Sequence, residues 1–129
     1  MIRAVYASDT DSEAILGALD ELVPATCTED IEFIEMPDRV DSRTYRGHEE
    51  VKQAFRRFYE QWQQHSVELV DAEDHGDQVF VTLREHATGK GSGIELSQLL
   101  YIVNDFRDGK VCRYFESYDE ATARAELRD

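Results

Sequence analysis

Four strand-like segments, separated by three short turns, constrain the fold of this chain more than any other feature of its sequence. The segments cover residues 66–74, 78–89, 94–106 and 110–118, and each has the residue pattern of a strand. The intervening "HGD", "KGSG" and "RDGK" contain the Gly and Asp that tight hairpin turns require. The sequence therefore predicts an antiparallel meander of four long strands.

The residues before this meander show helical spacing instead. Residues 9–23 place apolar side chains three and four positions apart, Asp11 or Ser12 can cap the start, and Pro24 is expected to end the helix. A short turn of helix at "PATCTED" and a strand over 31–36 should follow. Residues 48–64 predict a second helix through the apolar stripe Val51, Phe55, Phe58, Tyr59 and Trp62.

Helices followed by a meander predict an α+β fold in which the helices cover the inner face of a curved sheet. Residues 119–127 can close the chain as a short helix. Hydrophobic residues make up 41% of the chain, which is enough for a normal core. With 129 residues there is room for one core only, so we expect a single domain over residues 1–129.

The charge balance is strongly acidic and restricts the partners. The formal net charge is -14, and such a surface repels nucleic-acid phosphates and anionic lipids. The longest apolar run, residues 99–103, is far shorter than the about 20 residues of a membrane span. Because the N-terminal residues lack a secretory pattern and Cys27 and Cys112 match no metal or redox spacing, we expect a cytoplasmic protein with two free thiols.

Several motifs resemble the SnoaL-like branch of the nuclear transport factor 2-like superfamily. They are "TEDIEFIEMP", "YRGHEEVKQAFRRFYEQW", "GDQVFVTLREHATGKGSG" and "FRDGKVCRYFESYDEATARAEL", and together they cover nearly the whole chain from about residue 12. The resemblance implies a cone-shaped fold, with helices against a strongly bent sheet that encloses a pocket. Relatives include polyketide cyclases, ketosteroid isomerases and limonene-epoxide hydrolases, so the fold alone does not name a reaction.

Strand alternation and this resemblance together select the candidate catalytic residues. Alternation groups Phe33 with Glu35, Tyr114 with Glu116, and Phe80 and Thr82 with Arg84 and His86. Limonene-epoxide hydrolases have a Tyr-x-Asn-x-Pro strand, an Arg-x-Asp strand and an Asp near the end of the last strand, and the similar positions here are Phe33, Glu35, Arg84, His86 and Glu116. The resemblance implies that these faces point into the pocket. Since only the Arg is kept, we do not expect the same epoxide chemistry.

The predicted catalytic set is therefore Glu35, Arg84, His86 and Glu116. Arg84 would hold one carboxylate ionised, burial would favour the protonated form of the other, and His86 would carry a proton near neutral pH. Such a set can move protons at carbon or activate water without a cofactor. No HExxH or similar spacing occurs, so we expect no metal site.

The rest of the pocket wall is expected to be largely aromatic, which suits a small, mostly apolar molecule. His48, His65 and His75 fall in predicted loops or at element ends and receive no role. The predicted lining residues are Phe33, Phe55, Tyr59, Trp62, Phe80, Thr82 and Tyr114.

Two classes of function stay open on this sequence. The first is a cofactor-independent acid–base enzyme of isomerase, cyclase or hydrolase type. The second is a non-catalytic ligand-binding or dimeric assembly module of the same fold, in which Arg84 forms a structural ion pair with Glu35 or Glu116 and His86 is structural. A homodimer is predicted because the outer sheet face is too apolar to stay in water, with Val79, Val81, Leu83, Leu99, Tyr101 and Val103 as its candidates.

Overall fold

Three helices and seven strands form in the part of the chain that this computed structural model describes, residues 10–35 and 43–128. In chain order they are β1 (Thr10–Asp11), α1 (Ser12–Thr26), β2 (Cys27–Ile34), β3 (Thr44–Arg46), α2 (Gly47–Tyr59), β4 (Trp62–His75), β5 (Gln78–Gly89), β6 (Glu95–Arg107), β7 (Lys110–Ser117) and α3 (Glu120–Arg124). None of these three helices combines the length and the apolar character needed to cross a membrane.

The strands of these residues form one mixed sheet in the order β1-β4-β5-β6-β7-β2-β3. Strands β4 to β7 pair with their chain neighbours in antiparallel fashion, which confirms the predicted meander. Strand β2 joins the far side of β7 and runs parallel to it, so that Phe33 pairs with Tyr114 and Ile34 with Phe115. The sheet is curved and does not close into a barrel. The α+β fold class predicted from the sequence is confirmed.

The turns between the meander strands have the geometry that their residues predict. Asp108 and Gly109, between β6 and β7, adopt φ angles of 54° and 81°. Positive φ at both central residues is the requirement of a type I′ hairpin turn. Gly76, between β4 and β5, has φ 77°. These turns set the strand register, and the register decides which side chains share a face.

Helices α1 and α2 cover one face of the sheet, here called the inner face. Leu19 and Val23 of α1 and Val51 of α2 pack with Ile31 and Phe33 of β2. The opposite face is the outer face, on which Ala123 of α3 covers Phe80, Val103 and Phe115. A second inner cluster joins β4, β5 and β6 through Val67, Val81, Leu83, Leu100 and Ile102.

Element boundaries differ from the prediction where strand pairing overrides local preference. Helix α1 runs past Pro24 to Thr26, so the predicted turn of helix is the last turn of α1, and β2 already starts at Cys27 because Cys27 pairs with Val111 of β7. Helix α2 ends at Tyr59 rather than near residue 64. Trp62 belongs to β4 because it pairs with Gly89 of β5.

The prediction of which β5 face points inward is wrong. Alternation holds along β5, but the inner face carries Val79, Val81, Leu83 and Glu85, whereas Phe80, Thr82, Arg84 and His86 lie on the outer face. The apolar side of β5 faces the helices because burying it stabilises the fold. Val79, Val81 and Leu83 therefore do not form the outer surface on which a dimer was predicted, and Val103 is covered by α3.

Candidate functional site

A cavity of about 140 Å³ lies between α1, α2 and the inner face of the sheet. For comparison, an apolar cavity of about 150 Å³ holds benzene, so this space suits a molecule with a single ring. Most of the wall is apolar and comes from residues such as Leu19, Val23, Phe55, Val67, Leu83 and Leu100. Polar side chains also reach the cavity, among them Glu35, His65, Glu85, Asn104 and Glu116.

Glu85 is the most buried carboxylate in the cavity wall, with 1% of the residue exposed. Its Oε2 accepts a hydrogen bond from Nε2 of His65 at 2.8 Å, and its Oε1 accepts from the Tyr118 hydroxyl at 2.6 Å and from Nε2 of Gln98 at 3.2 Å. Burial alone would raise the pKa of Glu85, but the hydrogen bonds from His65, Tyr118 and Gln98 outweigh it, so the pKa is lowered. Glu85 is thus an ionised carboxylate beside an apolar cavity.

His65 lies in β4, and its position differs from the predicted loop or element end. The imidazole is buried, its Nε2–H donates to Glu85, and its ring meets the Phe58 ring edge-on at 5.1 Å between centroids. The carboxylate therefore fixes both the orientation of the ring and the nitrogen that carries the proton. The sequence held a signal for this pair, because Glu85 continues the apolar alternation of Val79, Val81 and Leu83 and so belongs to the inner face.

Glu35 and Glu116 both line the cavity, as predicted from the sequence. They directly follow the last paired residues of two adjacent parallel strands, Ile34 and Phe115. The residues two positions earlier, Phe33 and Tyr114, stack at 4.4 Å between ring centroids. Because of this register and this stack, the two carboxyl groups enter the same end of the cavity from neighbouring strands.

Phenol groups surround these two carboxylates. The Tyr114 hydroxyl donates to Oε2 of Glu116 at 3.4 Å. Tyr45 lies beside Glu35, and burial together with the nearby Glu35 carboxylate raises the pKa of Tyr45. Nη1 of Arg57 donates to the Tyr45 hydroxyl at 3.0 Å. The two carboxyl groups therefore lie beside tyrosine hydroxyl groups, of which Tyr114 belongs to the cavity wall.

Arg84 and His86 do not join the other two predicted catalytic residues. Both are exposed on the outer face, where the sheet register pairs Arg84 with Glu68 and His86 with Ser66. The sheet itself separates them from the cavity. Placing all four predicted residues around one space was therefore wrong for Arg84 and His86, because it relied on the motif spacing of the epoxide hydrolases rather than on the apolar side of β5.

The predicted lining residues divide in the same way. Phe33, Phe55 and Tyr114 line the cavity, whereas Phe80 and Thr82 lie on the outer face. Trp62 starts β4, with its ring 6.0 Å from that of Phe58, and is not part of the cavity wall. The side chain of Tyr59 lies outside the described residues.

Asn104 of β6 is a further polar residue of the cavity wall that sequence analysis did not single out. The residue is fully buried, with 0% exposed. Neither Oδ1 nor Nδ2 of its side chain has a hydrogen-bond partner among the described residues. Asn104 is also the only asparagine in the sequence. Asn104 stands between Val103 and Asp105, and its sequence signal is the break in the apolar alternation of β6.

Groups of three or more His, Cys, Asp or Glu side chains that could hold a metal ion do not occur within residues 10–35 and 43–128. The Glu85 carboxylate in the cavity wall is instead engaged by His65, Gln98 and Tyr118. The chemistry that these side chains can supply themselves is proton transfer and hydrogen bonding to a neutral molecule.

An open, curved sheet with helices over its inner face and a cavity between them defines the nuclear transport factor 2-like class of proteins. Residues 13–114 match the family model of the SnoaL-like domain, and the chain belongs to this family. None of the curated proteins matches the chain.

Solved structures with the same fold agree with this assignment. An NTF2-like protein from Burkholderia thailandensis is 27% identical, with a TM-score of 0.68 over 91% of this chain and 95% of the other. A putative SnoaL-like polyketide cyclase from Jannaschia is 18% identical, with a TM-score of 0.67 over 90% of this chain and 92% of the other. TerC, co-crystallised with polyporic acid, is 18% identical, with a TM-score of 0.64 over 88% of this chain and 94% of the other.

Proposed function

We propose that this protein is a cofactor-independent acid–base enzyme that acts on a small, mostly apolar molecule by isomerisation, cyclisation or hydrolysis. The observation that carries the proposal is the entry of Glu35 and Glu116 into one apolar cavity from adjacent parallel strands. The SnoaL-like fold itself supports a small-molecule pocket protein. Of its structural relatives, one is named as a SnoaL-like polyketide cyclase and another, TerC, was co-crystallised with polyporic acid, and both point to organic molecules as ligands.

Two carboxyl groups on one side of a bound molecule can divide the work of proton transfer. In its carboxylate form, one of Glu35 and Glu116 takes a proton from a carbon next to a carbonyl group. In its carboxylic acid form, the other gives a proton to the carbonyl oxygen, and an enol results. The reverse transfers at another carbon complete an isomerisation. The apolar wall supports this chemistry because it keeps competing water away from the reacting groups.

The His65–Glu85 pair has a different part in this proposal. Glu85 is engaged by three donors and therefore is not the group that moves a proton. Its fixed negative charge disfavours anionic ligands, and it holds the imidazole of His65 in place against Phe58. We assign the pair a positioning and selectivity role.

A ligand-binding protein without turnover is the second candidate. The specific observation that favours it is the complete hydrogen bonding of Glu85, the most buried acid of the cavity, which is typical of a structural carboxylate. Proton transfer at Glu35 and Glu116 distinguishes the two candidates, because a binding protein needs the cavity but not the two acids.

Hydrogen–deuterium exchange at carbon provides the test, since it can be measured without knowing the natural substrate. Cyclohexanone, a single-ring ketone, is incubated with the protein in D₂O, and the loss of the C–H proton next to the carbonyl group is followed by NMR. We expect the wild type to accelerate exchange, and Glu35→Gln and Glu116→Gln each to lose about 100-fold of that acceleration. Glu68→Gln, on the exposed outer face, is the matched control and should exchange as the wild type does. Equal exchange in the wild type and the double variant, with binding retained, would leave the binding protein as the function.

We also propose that two copies of the chain pair through the outer face of the sheet. Leu99 and Tyr101 lie half-buried on the side of β6 opposite to Leu100 and Ile102, next to Arg84 and Thr82 of β5. Covering Leu99 and Tyr101 with a second copy would remove their apolar surface from water. The candidate surface is thus smaller and more polar than the one predicted from the sequence.

A further inference from the structure

Asn104 carries the clearest sign of an unassigned binding determinant in the described residues. Its side chain is fully buried, lines the cavity and leaves both Oδ1 and Nδ2 without a hydrogen-bond partner there. An unpaired buried amide destabilises a fold, and buried polar groups in proteins are nearly always hydrogen-bonded. A buried amide in the cavity wall that the protein leaves unpaired is therefore a candidate contact for a bound molecule.

The neighbours of Asn104 explain why the protein itself offers the amide no partner. On the adjacent strands, Val79 of β5 and Tyr114 of β7 stand opposite Asn104, and Ile102 precedes it on the same face of β6. The hydroxyl of Tyr114 donates to Glu116. The amide thus lies in largely apolar surroundings in the wall of the cavity.

We propose that Asn104 binds a neutral ligand through a side-by-side hydrogen-bond donor and acceptor, as in a lactam, a primary amide or a hydroxy ketone. The amide oxygen of Asn104 accepts from the N–H or O–H of the ligand, and the amide nitrogen donates to its carbonyl oxygen. The inference rests on the proposal that the cavity binds a small molecule, and it does not depend on turnover by Glu35 and Glu116.

The charges around the cavity explain why the ligand is neutral. Glu35, Glu85 and Glu116 all reach the cavity wall, and the whole chain has a formal net charge of -14. A carboxylate or phosphate ligand would meet this negative field in apolar surroundings, which is unfavourable. The cavity volume of about 140 Å³ suits one ring, so a single-ring lactam satisfies size, charge and hydrogen bonding together.

Three compounds of similar size separate the hydrogen-bond requirement from simple apolar binding. 2-Pyridone offers a donor and an acceptor side by side, N-methyl-2-pyridone offers the acceptor alone, and toluene offers neither. Because Asn104 is the only asparagine, labelling with ¹⁵N-asparagine gives a single side-chain NH₂ group in the NMR spectrum. Titrations of the full chain then report both the dissociation constants and the direct response of this amide.

We expect 2-pyridone to shift the Asn104 side-chain signal and to bind about three- to tenfold more tightly than N-methyl-2-pyridone. In Asn104→Leu, which keeps the branching and the number of non-hydrogen atoms and removes both polar atoms, that preference should fall to about twofold or less. Thr82→Val on the outer face is the control and should keep the preference. The wild-type titration alone decides the matter if Asn104→Leu does not fold.

Two results would overturn the inference, and they differ in what else they remove. If all three compounds bind without preference and the Asn104 signal does not move, Asn104 is not a ligand contact, while the small-molecule cavity stands. If none of the three binds, both the inference and the proposed small-molecule function fail. Catalysis by Glu35 and Glu116 is measured separately by carbon exchange, so its failure leaves the titration result intact.

Discussion

Nε2 of His65 lies 2.8 Å from Oε2 of Glu85, and the two side chains are 3% and 1% exposed. This pair joins β4 to β5 at the inner face, where the sheet otherwise presents Val67 and Leu83. A buried carboxylate is tolerated in such surroundings only when donors satisfy it. Glu85 has three such donors. Removing this arrangement should therefore lower the free energy of unfolding.

The first prediction concerns Glu85→Gln. The amide keeps the shape of the carboxylate but accepts fewer hydrogen bonds, and it leaves His65, Gln98 and Tyr118 incompletely paired. We expect the free energy of unfolding to fall by about 3 kcal/mol, measured by urea denaturation. Glu68→Gln on the exposed outer face should change it by less than about 0.5 kcal/mol. A loss no larger than that of the control would mean that the network is not structural.

The second prediction is the pH dependence that follows from the lowered pKa of Glu85. The folded chain keeps this carboxylate ionised at a pH where the unfolded chain already binds a proton. Its contribution to stability is therefore fully present above the usual pKa of 4.5, and it is lost as the pH falls from there through the folded pKa. Denaturation curves between pH 7 and pH 3 should thus converge for the wild type and Glu85→Gln. Parallel curves would contradict the lowered pKa.

The third prediction concerns the hydroxyl of Tyr118, which donates to Oε1 of Glu85 at 2.6 Å. Tyr118→Phe removes only this hydroxyl, and we expect a loss of about 1–2 kcal/mol in the free energy of unfolding. Tyr101→Phe on the outer face is the matched control and should be close to neutral. A similar loss in both variants would show that the bond to Glu85 adds nothing specific.

The fourth prediction separates functional from structural polar groups in the cavity. Groups kept for ligand binding or catalysis often reduce stability, so their replacement should be neutral or stabilising. We expect Asn104→Leu to raise the free energy of unfolding by about 1 kcal/mol, since it replaces an unpaired buried amide by an apolar group. Glu35→Gln and Glu116→Gln should leave the melting temperature unchanged or higher. A marked loss of stability in these variants would assign the residues to the fold instead.

The fifth prediction tests the proposed pairing of two chains. Light scattering at micromolar concentration should give twice the mass of 14.9 kDa for the wild type. Leu99→Glu places a charge on the proposed contact surface and should give the mass of one chain. A wild type that already has the mass of one chain rules the pairing out.

The fold could be predicted from the sequence because turns and strands are encoded locally. The Asp108–Gly109 turn and the other hairpin turns predict the meander. The motifs of the SnoaL-like family predict how the helices pack on the sheet. The ends of α1 and α2 could not be predicted, since Cys27 and Trp62 follow strand partners that are distant in the sequence.

The candidate site could be predicted only in part, and the division has a physical reason. Glu35 and Glu116 follow stretches whose alternation and motif agree, and both reach the cavity. On β5 the motif and the apolar alternation predict opposite inner faces. The apolar side faces inward, so Glu85 lies at the cavity and Arg84 and His86 do not. Asn104 could not be found from the sequence, because its missing partners are a property of the packed interior.

The parallel pairing of β2 with β7 has a consequence for how the chain becomes functional. Glu35 and Glu116 are brought together only when β7 pairs with β2. A chain emerging from the ribosome can complete the hairpin of β4 and β5 while its two acids are still far apart, because contacts between distant residues form late. The proposed proton transfer should therefore become possible only at the last step of assembly, and a truncation that keeps β4 to β6 but removes β7 should not accelerate carbon exchange.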